Sequence, residues 1–443
     1  MILIKNARLV NENKIIDTDI LIENDRIKRI DKDISDKTSQ VIDAKGNFVI
    51  PGIIDDQVHF REPGMEYKAN IYSESRAGIL GGVTSFMDMP NNNPPILSQE
   101  LLQSKYDIAD KNSYANYSFY IGAGNDNYEE VMKTNPQNVC GIKIFMGSST
   151  GNMLVDDDMV LDKLFSNVEL LIATHCEDEN TVKNNLNKYI EKYHDKLDAN
   201  SHPLIRSREA CLLSSSKAVS MAKKHNTRLH ILHLTTADEM TLFNSDIPLK
   251  DKKITAEVCV HHLLFNDSYY QSLGNKVKCN PAIKTENDRL ALWKALREGK
   301  LDVVATDHAP HTMEEKNKAY IESPSGLPLV QHSLNIMLDF YEKGEITMEF
   351  LVEKMCHNPA IAFNIKERGF IREGYYADLV ILSQNNKWTV SKDNIAYKCE
   401  WSPLEGKEFN YKINNVLVNG TIAVTDGKLT NNTNAMRLEF DRK

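Results

Sequence analysis

The chain has 443 residues and a formal net charge of -9, with charges of both signs mixed along its length. That balance offers no basic face for nucleic acid or anionic lipid, so chemistry on a small molecule is the default expectation. The length exceeds one ordinary domain but accommodates an α/β barrel of roughly 250 residues with a satellite domain.

From the N-terminus, the segments ILIKNARLV, DTDILIEND, RIKRIDKD and SQVIDAKGNFVI read as short strands separated by Asn, Asp and Gly turns. The opening MILIKNARLVNENK lacks the build of a signal peptide, and no run reaches the roughly 18 apolar residues of a membrane helix. A cytoplasmic protein with no membrane contact is expected. The sequence is compatible with a homo-oligomer but does not set the number of copies.

Past Pro51 the grammar changes. Apolar β-type runs alternate with helical stretches such as TVKNNLNKYIEKYH and SREACLLSSSKAVSMAKKH, the pattern of repeated βα units. Eight such runs end near His59, Asp88, Gly122, Lys143, His175, His233, His261 and Asp307. Eight strands close a (β/α)8 TIM-type barrel over residues 51–363; a doubly wound open sheet is the rival. After Phe363, strand grammar returns in YADLVILS, INNVLVNGTIAVTDGKL and MRLEF. Residues 1–50 and 364–443 are therefore expected to build one small β-sandwich domain from both termini. The seven cysteines are scattered without CxxC spacing, so they are expected to be reduced.

Five of the barrel runs, IIDDQVH, VCGIKIF, ELLIATH, RLHILHL and LDVVATD, carry His59, Lys143, His175, His233 and Asp307 at or near their ends. Side chains at the C-terminal ends of barrel strands converge on one mouth. Neutral imidazole and carboxylate are the ligands a zinc-type ion takes, and His175 and His233 suit that role. One histidine at a strand end is ordinarily structural, but five such residues at five strand ends argue for a site. Asp307, in VVATDHAPH, is also placed to take a proton from attacking water and return it to a leaving nitrogen; its bland alternative is a helix N-cap. Lys143 is harder, because an ammonium has no lone pair and repels a cation; a snorkelling side chain is its bland alternative. His261 and His262, in VCVHHLLF, are read as packing residues at the end of the seventh strand.

The motifs IDDQVHFREPG, MPNNNPP, GIKIFM, THCED, HILHLTT, KCNPAIK, TDHAPH, GYYADLVIL and SPLEG together resemble the cyclic-amidase branch of the amidohydrolase superfamily, and within it the dihydroorotase family. The resemblance spans nearly the whole chain. It implies reversible hydrolysis of L-dihydroorotate to N-carbamoyl-L-aspartate with one or two zinc ions per chain. One ion would be held by a carbamylated Lys143, His175 and His233, the other by His59, Lys143 and Asp307. It further implies that Arg61, Asn91 and His311 hold the substrate carboxylate, and that Asn280 and the backbone around Gly326 address the ring. The chain departs from the family at Gln57, where a second histidine is the rule. An amide oxygen is a weaker ligand than imidazole, so a loosely held or absent second metal is expected. A hydantoinase or allantoinase, and a catalytically silent scaffold subunit, remain as alternatives.

Overall fold

The computed structural model describes residues 1–36, 40–147 and 153–442. Its centre is a ring of eight parallel strands: Ile53–Val58, Val83–Asp88, Asn116–Phe119 continued by Ile121–Gly122, Ile142–Phe145, Ile172–His175, Leu229–Ile231, Ile254–Cys259 and Val303–Ala305. Each pairs in parallel with the next. The ring closes through a parallel bridge between Val58 and His308 and a 2.7 Å bond from the His59 N–H to the His308 carbonyl. Closure excludes the open doubly wound sheet. The strands are buried on both faces, which is why the sequence shows them as continuous apolar runs rather than an alternation.

The seventh strand is shorter than the sequence suggests. It stops at Cys259, and His261 sits in the helix Val260–Leu264 rather than at a strand end. The intervening helices obey ordinary rules. In Arg208–His225 the Ser207 side chain caps the start by accepting from the Ala210 N–H, while Lys223, Lys224 and His225 lie at the negative end of the dipole. The helix buries a stripe of small residues that includes Ala210, Ser214, Ala218 and Ala222. That stripe lets it approach the barrel wall closely.

Both termini contribute to one nine-stranded sheet. Ile2–Asn11 carries an irregularity between Ile4 and Ala7; before it the strand pairs in parallel with Gln40–Asp43, and after it with Phe48–Pro51. The sheet divides there and wraps around Ile4, Leu9, Ile20, Val49, Leu379 and Leu417. Leu379–Ser383, from the C-terminal part, lies antiparallel between Phe48–Pro51 and Lys412–Val418 and so knits the two halves together.

Two C-terminal segments leave that sheet. Residues 436–440, expected as a strand of the small domain, cross the barrel instead. The Tyr117 N–H donates to Met436 O and the Leu438 N–H to Tyr117 O, while Leu438 and Phe440 bury with Ile54, Tyr120 and Phe363. The alternation in MRLEF does bury every second residue, but against the barrel. Residues 397–401 reach the opposite rim, where Tyr397 meets His332 Nδ1 at 3.0 Å and the Trp401 indole donates to His311 O at 2.7 Å. None of the seven cysteines is disulfide-bonded. Among the described residues no helix is long and apolar enough to cross a membrane.

Candidate active site

At the C-terminal mouth of the barrel lies a cavity of about 630 Å³. The candidate site residues line it: His59, Lys143, His175, His233, Asp307, Arg61, Asn91, Asn280, His311 and Gly326, together with Gln57. The convergence follows from the fold, since these side chains leave the same end of the strands or the loops that follow them.

One part of the cavity wall is rich in lone pairs. His175 Nδ1 lies 3.0 Å from His233 Nε2, and His175 Nε2 lies 3.0 Å from Glu177. Although burial opposes it, the Arg206 guanidinium and His175 hold the Glu177 carboxyl well below its ordinary range. An ionised Glu177 only accepts, so His175 carries its hydrogen on Nε2 and turns a bare Nδ1 toward His233. His59 repeats the pattern. Its Nδ1 faces the Asn91 amide oxygen at 2.7 Å, and its Nε2 faces Asp307 Oδ1 at 3.0 Å. A proton or a metal ion must lie between that nitrogen and that oxygen. Carboxylate or amide partners fixing the far nitrogens of two convergent imidazoles is how proteins orient histidines toward a metal, so the donor set fits one.

Lys143 is buried between these groups, with its ammonium 4.5 Å from the Phe145 ring centre. Burial pulls it down from 10.5 to about 7, against the opposing pull of Asp307 and Glu257. The neutral amine, the form with a lone pair, is thereby accessible near neutrality.

Gln57 is turned differently from a ligand. Its Nε2 donates to Asp307 Oδ1 at 3.1 Å, while its oxygen faces the Cys259 thiol at 3.9 Å. The amide steadies Asp307 by donation, whereas an imidazole could offer a nitrogen lone pair. Gln57→His is therefore expected to raise the affinity for an ion on the His59 side, read by metal titration of purified protein. Wild-type protein that keeps two equally tight zinc ions through dialysis against a mild chelator would refute this account of Gln57.

Another part of the cavity wall is rich in donors. Arg61 is buried, its Nε donating to Pro310 O at 3.0 Å and its Nη2 lying 3.1 Å from His311 Nε2. Arg61 makes no ion pair with the neighbouring Glu62, whose carboxylate accepts from the Ile71 N–H at 2.9 Å. Lys68 Nζ lies 3.0 Å from His311 Nδ1 and 2.9 Å from Glu315. An ammonium can only donate, so His311 accepts on Nδ1 and bears hydrogen on Nε2, which is 3.0 Å from Ser325 O. Burial first, and then Arg61, keep His311 well below its ordinary value. The His311 Nε2 hydrogen is taken up by Ser325 O, so the N–H groups of Arg61 are the donors left on this wall of the cavity.

Asn280 has a buried oxygen without a hydrogen-bond partner, an unused acceptor on the cavity wall. Gly326 has its own backbone groups engaged. Its N–H donates to Lys278 O at 2.8 Å, and its carbonyl accepts from Lys316 at 2.9 Å. Its contribution is the missing side chain, since at φ 138° a Cβ would meet Ala309 O at 2.4 Å. Asn91 contacts His59 directly, so it orients that imidazole as well as lining the cavity.

Three site residues, Arg61, His233 and Asp307, have left-handed backbone at φ 69°, 39° and 46°. No glycine-like freedom excuses these angles, and the surrounding bonds impose them. One such constraint is Asp55, which sequence reasoning passed over. It accepts from the Thr306 N–H and hydroxyl at 3.2 and 2.6 Å and so couples the first strand to the start of the Asp307 turn. Its signal was the paired acids in the apolar run IIDDQV. Lys68 was also missed; a lone lysine in a polar loop has no pattern to mark it.

A closed α/β barrel with histidines, a carboxylate and a buried lysine at its C-terminal mouth is the construction of a metal-dependent hydrolase. The amidohydrolase family model matches residues 48–423. The chain is 32% identical over 415 residues to a dihydroorotase of Methanosphaera stadtmanae, covering 92% of both. It is 30% identical to a dihydroorotase of Pyrococcus horikoshii, covering 96% of this chain and 92% of the relative. In structure it resembles an L-hydantoinase (dihydropyrimidinase) from Arthrobacter aurescens, with a TM-score of 0.93, 24% identity and 99% of both chains covered. The chain belongs to the amidohydrolase family, and in sequence it groups there with dihydroorotases.

Proposed function

We propose that this chain is a dihydroorotase, interconverting L-dihydroorotate and N-carbamoyl-L-aspartate in the cytoplasm as a step of pyrimidine synthesis. The observation that carries the reading is the buried Arg61 guanidinium, 3.1 Å from His311 in the wall of the same cavity that His59, His175 and His233 line. A buried guanidinium suits a carboxylate that survives the reaction, and both substrate and product have one. The orphan oxygen of Asn280 suits a ring N–H.

In our reading His175, His233 and a carbamylated Lys143 would hold one zinc ion, with His59 and Asp307 forming a weaker second position. A bound ion supplies Lewis acidity to the scissile carbonyl and lowers the pKa of water. The rest is the work of the chain. Arg61, with His311 beside it, anchors the carboxylate, Asn280 sets the ring, and Asp307 accepts a proton from water and returns it to the ring nitrogen as the amide opens. Gln57 and His59 both address Asp307 Oδ1, so the second carboxylate oxygen is left for that proton.

The test is turnover of purified, metal-replete protein with dihydroorotate, hydantoin and allantoin. Dihydroorotate should be hydrolysed, and hydrolysis should gain on cyclisation as pH rises, because ring closure consumes a proton near neutrality. Turnover of hydantoin or allantoin with dihydroorotate untouched would end this reading, and no turnover of any of the three would favour a silent scaffold. Arg61→Ala should raise KM for dihydroorotate by roughly 10-fold or more, the scale of a lost charge-assisted bond. Its metal content should match wild type. Metal loss on Arg61→Ala would show that the two parts of the wall are not separate.

A further inference from the structure

Beneath the cavity, inside the barrel, three further ligand-type side chains meet. Asp56 on the first strand, His230 on the sixth and Glu257 on the seventh are all fully buried. His230 Nε2 lies 3.1 Å from Asp56 Oδ2 and 3.7 Å from Glu257 Oε2. Their facing oxygens and nitrogen all lie within 4.8 Å of one another. None of the proposed catalytic steps uses them.

We propose that Asp56, His230 and Glu257 form a separate buried site for a zinc-class divalent cation. The argument is one of unmet bonding capacity. Both Asp56 oxygens, Glu257 Oε2 and His230 Nε2 are buried without a hydrogen-bond partner. The Asp56 oxygen is close to His230 but off the axis along which the ring nitrogen would donate, so proximity does not make a bond. A proton on Nε2 can serve one acceptor, which leaves other buried carboxylate oxygens unsatisfied in a dry interior. A cation placed between the three side chains serves all of them. It also balances the charge, since two carboxylates and a neutral imidazole around a divalent ion sum to zero.

The outer contacts agree. The Thr255 hydroxyl donates to Leu229 O at 3.3 Å, so its oxygen accepts from His230 Nδ1 at 2.7 Å. That bond places the hydrogen on Nδ1 and turns the Nε2 lone pair toward the two carboxylates, the orientation of a histidine ligand. Glu257 spends its other oxygen on the His233 N–H at 2.8 Å and the Cys259 thiol at 3.4 Å. Oε1 is therefore occupied and Oε2 is the one left to bind. One imidazole nitrogen and two carboxylates favour zinc or a similar first-row ion over calcium or magnesium, which take oxygen. With no solvent exposure, such an ion would be taken up as the barrel forms.

The decisive measurement is anomalous diffraction from wild-type crystals grown with zinc, recorded on both sides of the zinc edge. A peak is expected between the three side chains, about 2.0–2.2 Å from His230 Nε2 and the nearest carboxylate oxygens. Metal analysis of folded Asp56→Asn should show a loss of one ion per chain relative to wild type. A filled cavity site with only water, or nothing, between Asp56, His230 and Glu257 would overturn the proposal, as would unchanged metal content in Asp56→Asn. A peak here with none among His59, Lys143, His175 and His233 would instead sink the metal reading of the cavity and leave this site standing.

Discussion

Asp307→Asn is expected to lower kcat for dihydroorotate by roughly 10²- to 10⁴-fold, the range contributed by a positioned acid or base. The substitution keeps the shape of the side chain but removes its basicity. It also sets an amide against two neighbours that aim at one oxygen, Gln57 Nε2 at 3.1 Å and His59 Nε2 at 3.0 Å. The fold should survive, because Asp55 holds the turn through Thr306 without help from residue 307. Steady-state kinetics with circular dichroism as the folding control would decide the matter. A well-folded variant retaining more than about a tenth of wild-type kcat would remove Asp307 from the proton-transfer role.

His233→Ala should be as damaging by a different route, stripping metal and activity together. The loss should exceed the roughly 10- to 100-fold that removal of an outer partner of a metal site costs. The backbone bond from residue 233 to Glu257 does not depend on the side chain, so the loop should stay in place. Metal analysis beside activity is the readout. Full metal content with lost activity would mean that His233 acts on substrate rather than on an ion.

The barrel was legible because strands buried on both faces show as apolar runs, and because function collects where those runs end. His175, His233 and Asp307 therefore stand out from position alone, and the cavity gathers them with His59 and Lys143. Partners distant in the chain were not legible. Gln57 and Asp307 are 250 residues apart, and nothing in either segment says that the amide donates to that carboxylate. The alternation in MRLEF told which residues bury but not against what, so the segment was assigned to the small sheet although it packs on the barrel. His230 and Glu257 stayed hidden for a related reason. Each sits inside an apolar strand, and only the closed ring brings them to Asp56.

The left-handed backbone at Arg61, His233 and Asp307 sets a direction for any effort to make this protein hardier. Such angles cost a non-glycine residue on the order of 1–2 kcal/mol each. Glycine at these three positions would release that strain only by erasing the chemistry. A library selected for heat resistance alone would drift toward inert barrels, and one selected for turnover would keep its weakest joints where the substrate sits.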